Sequence, residues 1–137
     1  KLSGYKGIAS IIWTTPSLLK LFMRGYAHFL ARDGRKLGQM IVEDVSKISA
    51  DSFFQSIGTL RQTDLTGQIG VLEMPVLGIY GKHDRIVQPA QSQVLKQYAP
   101  HSQIAWFEGS GHFPMMDEPE RFHETIRQFL GSVDGGF

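Results

Sequence analysis

The chain has no cysteine among its 137 residues. Disulfide frameworks, thiolate zinc sites and thiol nucleophiles are therefore excluded. Compartment stays open, because a cysteine-free protein suits either side of a membrane. Charge of one sign is also missing. Fourteen Lys and Arg stand against thirteen Asp and Glu, for a formal net charge of +1. No basic field of the kind that holds nucleic acid or anionic lipid is expected. No apolar run approaches the roughly 18–20 residues that span a bilayer. The opening Lys1-Leu2-Ser3-Gly4-Tyr5-Lys6-Gly7 lacks the charged, apolar, then small-residue order of a signal peptide. Repeats and low-complexity tracts are absent too. What remains is an ordinary globular composition, 42% hydrophobic and 20% charged, long enough to bury a core.

The pattern changes near Met74-Pro75. Before it the periodicity is helical. Leu18, Leu19, Phe22, Met23, Tyr26, Phe29 and Leu30 recur at three- and four-residue steps, so one helix face carries them. Thr15 is the expected N-cap with Pro16 at the first helical position, and Asp33-Gly34 reads as the stop. A second stretch sets Met40, Ile41, Val45 and Ile48 at helical spacing. A third starts at Asp51 as N-cap and turns Phe53, Phe54, Ile57 and Leu60 to one side. Three short amphipathic helices in succession, covering residues 1–64, read as a cap or lid over another surface.

From Pro75 strand and helix alternate, over residues 65–137 as the second region. Val76-Leu77-Gly78-Ile79-Tyr80 is a near-continuous apolar run ending at Gly81, the pattern of a strand buried on both faces. Pro89 opens a helix with Val94, Leu95 and Tyr98 on one face, and Pro100 closes it. Gln103-Ile104-Ala105-Trp106-Phe107 is the next strand. The last helix starts at Asp117-Glu118-Pro119-Glu120 as a capping box, turns Phe122, Ile126, Phe129 and Leu130 inward, and ends at Gly131. Connections this short imply a right-handed crossover and a parallel pair. Two parallel strands are too few for a free-standing sheet, so the sheet is incomplete as given.

In open α/β sheets, function gathers at the carboxyl ends of the strands. Those two ends carry Gly81-Lys82-His83-Asp84 and Gly109-Ser110-Gly111-His112. Asp84 and His112 are 28 residues apart (112 − 84), about what one crossover helix and one strand consume. A carboxylate at one strand end and an imidazole at the next can pair, and such a pair is the orienting half of a nucleophilic relay. Read alone, His112 suits a loop hydrogen bond and Asp84 a simple turn. Together they favour catalysis. His83 is expected to point away, and His28, His101 and His123 share no metal-ligand spacing. Ser110 lacks a strand–Ser–helix elbow and is rejected as a nucleophile. Ile86, Val87, Phe113 and Met116, with Met115, suit either an apolar substrate pocket or core packing.

At these residues the sequence resembles the C-terminal part of the α/β-hydrolase fold family. Residues 74–84 are similar to that family's penultimate strand with its acid. Gly109-Ser110-Gly111-His112-Phe113-Pro114, followed by Glu118-Pro119-Glu120-Arg121-Phe122, is similar to its histidine loop and final helix. The resemblance runs over roughly residues 60–131, and before that it is positional. It implies an α/β fold of parallel strands flanked by helices and preceded by a helical lid. It implies ester or related acyl hydrolysis by a Ser-Asp-His triad, with Asp84 orienting His112 and with no metal and no organic cofactor. The expected substrate is a small, hydrophobic, ester-like molecule.

The family's order is nucleophile, acid, histidine, with the nucleophile on a G-x-S-x-G elbow. No G-x-S-x-G occurs here. The chain as written is therefore expected to be a piece of a longer enzyme, lacking its serine and inactive alone. An aspartate in the elbow instead would make the same pair serve a dehalogenase or epoxide hydrolase. The reading from another class is a non-catalytic hydrolase-like binding module. In that case its open strand edge would call for a partner chain or self-association.

Overall fold

A computed structural model describes residues 11–31 and 34–134 of the chain. Residues 1–7, read for a leader sequence, and Asp33, read as part of a helix stop, lie outside the described residues. The chain divides into two compact units, parting between Thr63 and Asp64, with Leu30 and Ala31 grouped in the second.

The first unit is helical. Residues 11–14 are helical, Thr15 breaks the run, and α1 (Pro16–Leu30) follows, with the Thr15 carbonyl accepting the Leu19 amide at 3.0 Å. Then come α2 (Gly34–Val45) and α3 (Ala50–Gln62). Leu19, Met23 and Val45 form a buried cluster, with Ile12, Trp13, Ile41, Val42 and Phe53 packed against it. Trp13 is anchored at both ends of its ring system. Its ring lies 5.0 Å from Phe53, and its Nε1–H donates to the Ile48 carbonyl at 3.0 Å.

Several helical details differ from expectation. Gly34 begins α2 rather than stopping α1, because a Cβ there would stand 2.4 Å from His28 Nδ1 and only glycine allows so close a turn. The N-cap of α3 is Ser49, whose hydroxyl accepts the Ser52 amide, and Asp51 lies inside the first turn. The broad stripe expected on α1 splits in two: Leu19, Met23, Ala27 and Leu30 are buried, while Leu18, Phe22 and Phe29 stay more than 40% exposed. Met40, Ile48, Phe54, Ile57 and Leu60 are exposed as well. Short helices present more apolar surface than one small cluster can cover.

The second unit alternates helix and strand: α4 (Thr66–Ile69), β1 (Leu77–Gly81), α5 (Gln91–Tyr98), β2 (Gln103–Phe107), α6 (Pro114–Asp117) and α7 (Pro119–Asp134). The strands pair in parallel from Leu77 opposite Gln103 to Gly81 opposite Phe107. A parallel pair needs a crossover, and α5 supplies it. Leu95 of α5 presses on β1 at Gly78, where a Cβ would come within 2.6 Å of its Cδ2. Tyr80 and Trp106 stand opposite each other in the register, with ring centroids 5.6 Å apart. Phe107 is fully buried between the Phe122 ring at 6.3 Å and the Arg121 guanidinium at 4.6 Å.

Here too there are corrections. β1 begins at Leu77 rather than Val76, and its Leu77, Ile79 and Tyr80 are half-buried instead of covered on both faces. Each strand has only one neighbour among the described residues, so part of each face meets solvent. The crossover helix starts at Gln91, because Pro89 occupies the turn before it and its carbonyl accepts the Ser92 amide and hydroxyl. The final helix passes Gly131 to reach Asp134, and Leu130 is 53% exposed. An unforeseen short helix, α6, precedes it. No helix among the described residues is long and apolar enough to cross a membrane.

Candidate active site

The parallel pairing continues past both strand ends. Lys82 N donates to the Phe107 carbonyl at 3.0 Å, and His83 N to the Ser110 carbonyl at 3.0 Å. The two loops touch backbone to backbone. A Cβ on Gly81 would stand 2.1 Å from the Gly111 carbonyl oxygen, so no other residue fits there without displacing the histidine loop. This close approach brings Asp84 to His112.

The imidazole Nδ1–H of His112 donates to Asp84 Oδ2 at 2.9 Å. The Asp84 side chain is 10% exposed and the His112 side chain 30%. The other carboxylate oxygen is already committed: Asp84 Oδ1 accepts the amides of Ile86 at 2.7 Å and Val87 at 2.9 Å. The carboxylate is thus fixed by its own turn and offers one oxygen to the ring. A carboxylate on Nδ1 selects the tautomer that leaves Nε2 able to accept a proton, and it stabilises the imidazolium that results. That is the chemistry this pair can perform.

The other candidates are less closely engaged. Phe113 is half-buried, its ring edge-on to the His112 ring at 5.0 Å. Met116 is half-buried one turn on. Ile86 and Val87 are 44% and 40% exposed, and their observed contribution is through backbone amides. His83 is exposed, as are His28, His101 and His123. The Ser110 hydroxyl is fully buried and donates to Glu118 Oε1 at 2.6 Å, which leaves it unavailable for attack.

Sequence reasoning missed a part of this loop's support. Asp117 and Glu118, read as the start of a capping box, turn their carboxylates to the histidine loop. Glu118 Oε1 accepts Gly109 N at 3.0 Å as well as the Ser110 hydroxyl, and Asp117 Oδ2 accepts Gly111 N at 2.8 Å. Arg121 donates to Glu118 Oε2 at 3.0 Å and to the Trp106 carbonyl at 2.6 Å. The Ser110 hydroxyl, helped by Arg121 and the Gly109 amide, holds the Glu118 carboxyl below its ordinary value against the opposing effect of desolvation. The available signal was an acid pair five and six residues after the histidine, a spacing equally suited to a cap.

No protein-family model matches the chain. Among curated proteins, the pimeloyl-(acyl-carrier protein) methyl ester esterase of Stenotrophomonas maltophilia (strain K279a) is 30% identical over 127 residues, covering 90% of this chain and 48% of that protein. The corresponding esterase of Xanthomonas campestris pv. campestris (strain B100) is 29% identical over 85 residues, 62% of this chain and 34% of its own length. The chain thus spans between a third and a half of these relatives. Among solved structures, an esterase from Exiguobacterium antarcticum superposes with a TM-score of 0.70 at 22% identity, over 92% of this chain and 48% of that one. A thermophilic esterase from Thermogutta terrifontis gives 0.68 at 24% identity, with the same coverage. Parallel strands joined by a crossover helix, an acid and a histidine at adjacent strand ends, and these likenesses agree: the chain has the α/β-hydrolase fold and corresponds to the C-terminal part of that fold.

Proposed function

We propose that this chain supplies the acid and the base of a serine esterase. Asp84 orients His112, and His112 takes the proton of a serine hydroxyl contributed from outside these 137 residues. The serine oxygen bonds to the ester carbonyl carbon, and the protonated imidazole then gives its proton to the departing alkoxide. In the second half, His112 draws a proton from water, whose oxygen bonds to the acyl carbon, and the imidazolium returns that proton to the serine oxygen as the acyl–serine bond breaks and the carboxylic acid leaves. No metal or organic cofactor enters these steps. The observation that carries the reading is the 2.9 Å contact between His112 Nδ1 and Asp84 Oδ2 at the carboxyl ends of two paired strands.

The relatives' names support a carboxylic ester of an acyl chain, such as a methyl ester, as the substrate class. Phe113 and Met116, with Ile86 and Val87 beside the acid, are the apolar side chains we assign to its hydrophobic portion. Residues 1–64 serve as the helical lid in this reading. A serine-directed fluorophosphonate tests it on the enzyme in which this chain is joined to its nucleophile. A single labelled serine is expected, with labelling and turnover both lost in His112→Ala. Undiminished turnover in that variant refutes the assignment.

A further inference from the structure

We infer that Glu118 and Asp117 are positioning residues, which hold the backbone of the histidine loop so that the His112 ring meets Asp84. The inference rests on the reading of Asp84 and His112 as acid and base, and it adds what sets the base in place.

The loop has little stiffness of its own, since Gly109 and Gly111 bracket Ser110. Yet each amide from Gly109 to His112 has a partner: Gly109 the Glu118 carboxylate, Ser110 the Phe107 carbonyl at 3.3 Å, Gly111 the Asp117 carboxylate, and His112 the Leu30 carbonyl at 2.8 Å. Two of the four partners are charged side chains, whose hydrogen bonds are the stronger kind. The buried Ser110 hydroxyl adds a third bond to the same pair of acids.

An ordinary helix cap does not account for Glu118. Its backbone carbonyl starts α7 by accepting Phe122 N at 2.9 Å, while side-chain Oε1 turns away to the loop. Arg121 completes the brace. It pairs with Glu118 at the other oxygen and bonds the Trp106 carbonyl, which links β2, loop and helix through one side chain. Within the ring itself, Nδ1 is held by Asp84 while Phe113 touches one edge. The remaining constraints on the imidazole come through its backbone, where the two carboxylates hold the glycine amides on either side of Ser110 and the Leu30 and Phe107 carbonyls hold the other two amides.

The test uses the full chain and the low-field proton resonance of His112 Nδ1–H, the spectroscopic mark of its bond to Asp84. Glu118→Ala is expected to lose this resonance while its melting temperature shows the fold retained. In the serine-bearing enzyme, kcat should fall about 10²-fold with KM unchanged, the scale of a base displaced by an ångström. A folded Glu118→Ala protein that keeps the resonance at its wild-type position overturns the inference. Should that variant fail to fold, Ser110→Ala carries the test: a broadened resonance supports the inference and an unchanged one overturns it. Asp84→Asn separates the two layers. A resonance that survives Asp84→Asn sinks the pairing itself. One that disappears in Asp84→Asn but persists in Glu118→Ala leaves the pairing standing and removes the positioning role.

Discussion

In the helical unit, Leu21 and Leu60 are 71% and 75% exposed, while Leu19, Met23 and Val45 make a closed cluster among the described residues. In the α/β unit the strands are largely half-buried, yet every amide of the histidine loop is satisfied and one acid–imidazole pair is tightly made. The contrast separates two kinds of order. Apolar packing is non-directional and scales with covered area, so a short helical layer retains a surplus of apolar surface. Hydrogen bonds are directional and local. A loop of four residues, Gly109 to His112, is therefore fixed by seven of them whatever the area of the sheet beneath.

The comparison breaks most sharply at the pair. Asp84→Asn in the serine-bearing enzyme is expected to cut turnover by about 10⁴-fold, since an amide favours the wrong tautomer; steady-state kinetics on matched preparations measure it. Next comes the helical core. Met23, 1% exposed, is expected to cost about 2–5 kcal/mol when cut to alanine, read from denaturant unfolding, because little around it can collapse into the void. The counterpart in the other unit is Gly81→Ala, which drives a methyl into the Gly111 carbonyl. A loss of about 1–3 kcal/mol is expected, accompanied by loss of the His112 Nδ1–H resonance. A stable Gly81→Ala protein with that resonance intact contradicts the backbone-contact account of the site.

Smaller effects sharpen the picture. Ser49→Ala removes the cap of α3 and should lower stability by about 1 kcal/mol, with the α/β unit's resonances unmoved. The last is a slope. Because the carboxyl of Glu118 is lowered in the folded protein, its contribution is present above the ordinary carboxyl value and is lost as pH falls through the lowered one. The fall in melting temperature through the acid range should therefore be shallower for Glu118→Ala than for the wild type.

Much of the site was legible in the linear pattern. Gly81 marked the end of the first apolar run, and Asp84 and His112 sat at equivalent ends of two strand-like runs, one crossover apart. Strand bounds followed almost to the residue, since β2 is Gln103–Phe107 as read and β1 is displaced by one. Asp117 and Glu118 escape a linear reading because a capping box and a loop brace use the same residue types. Only the direction of each carboxylate tells them apart. The apolar faces of α1 and α3 are likewise overcounted, since periodicity reports which residues share a face and not what covers it.

By itself, then, the sequence determined element type, strand direction and which titratable residues stand at the strand ends, because these depend on local backbone preference and on residue order. Tertiary structure alone decided which apolar positions are buried, that Gly81 lies against the Gly111 carbonyl, and that two acids of the helix start serve the loop before it. Those outcomes depend on distances between segments remote along the chain, and no local propensity encodes them.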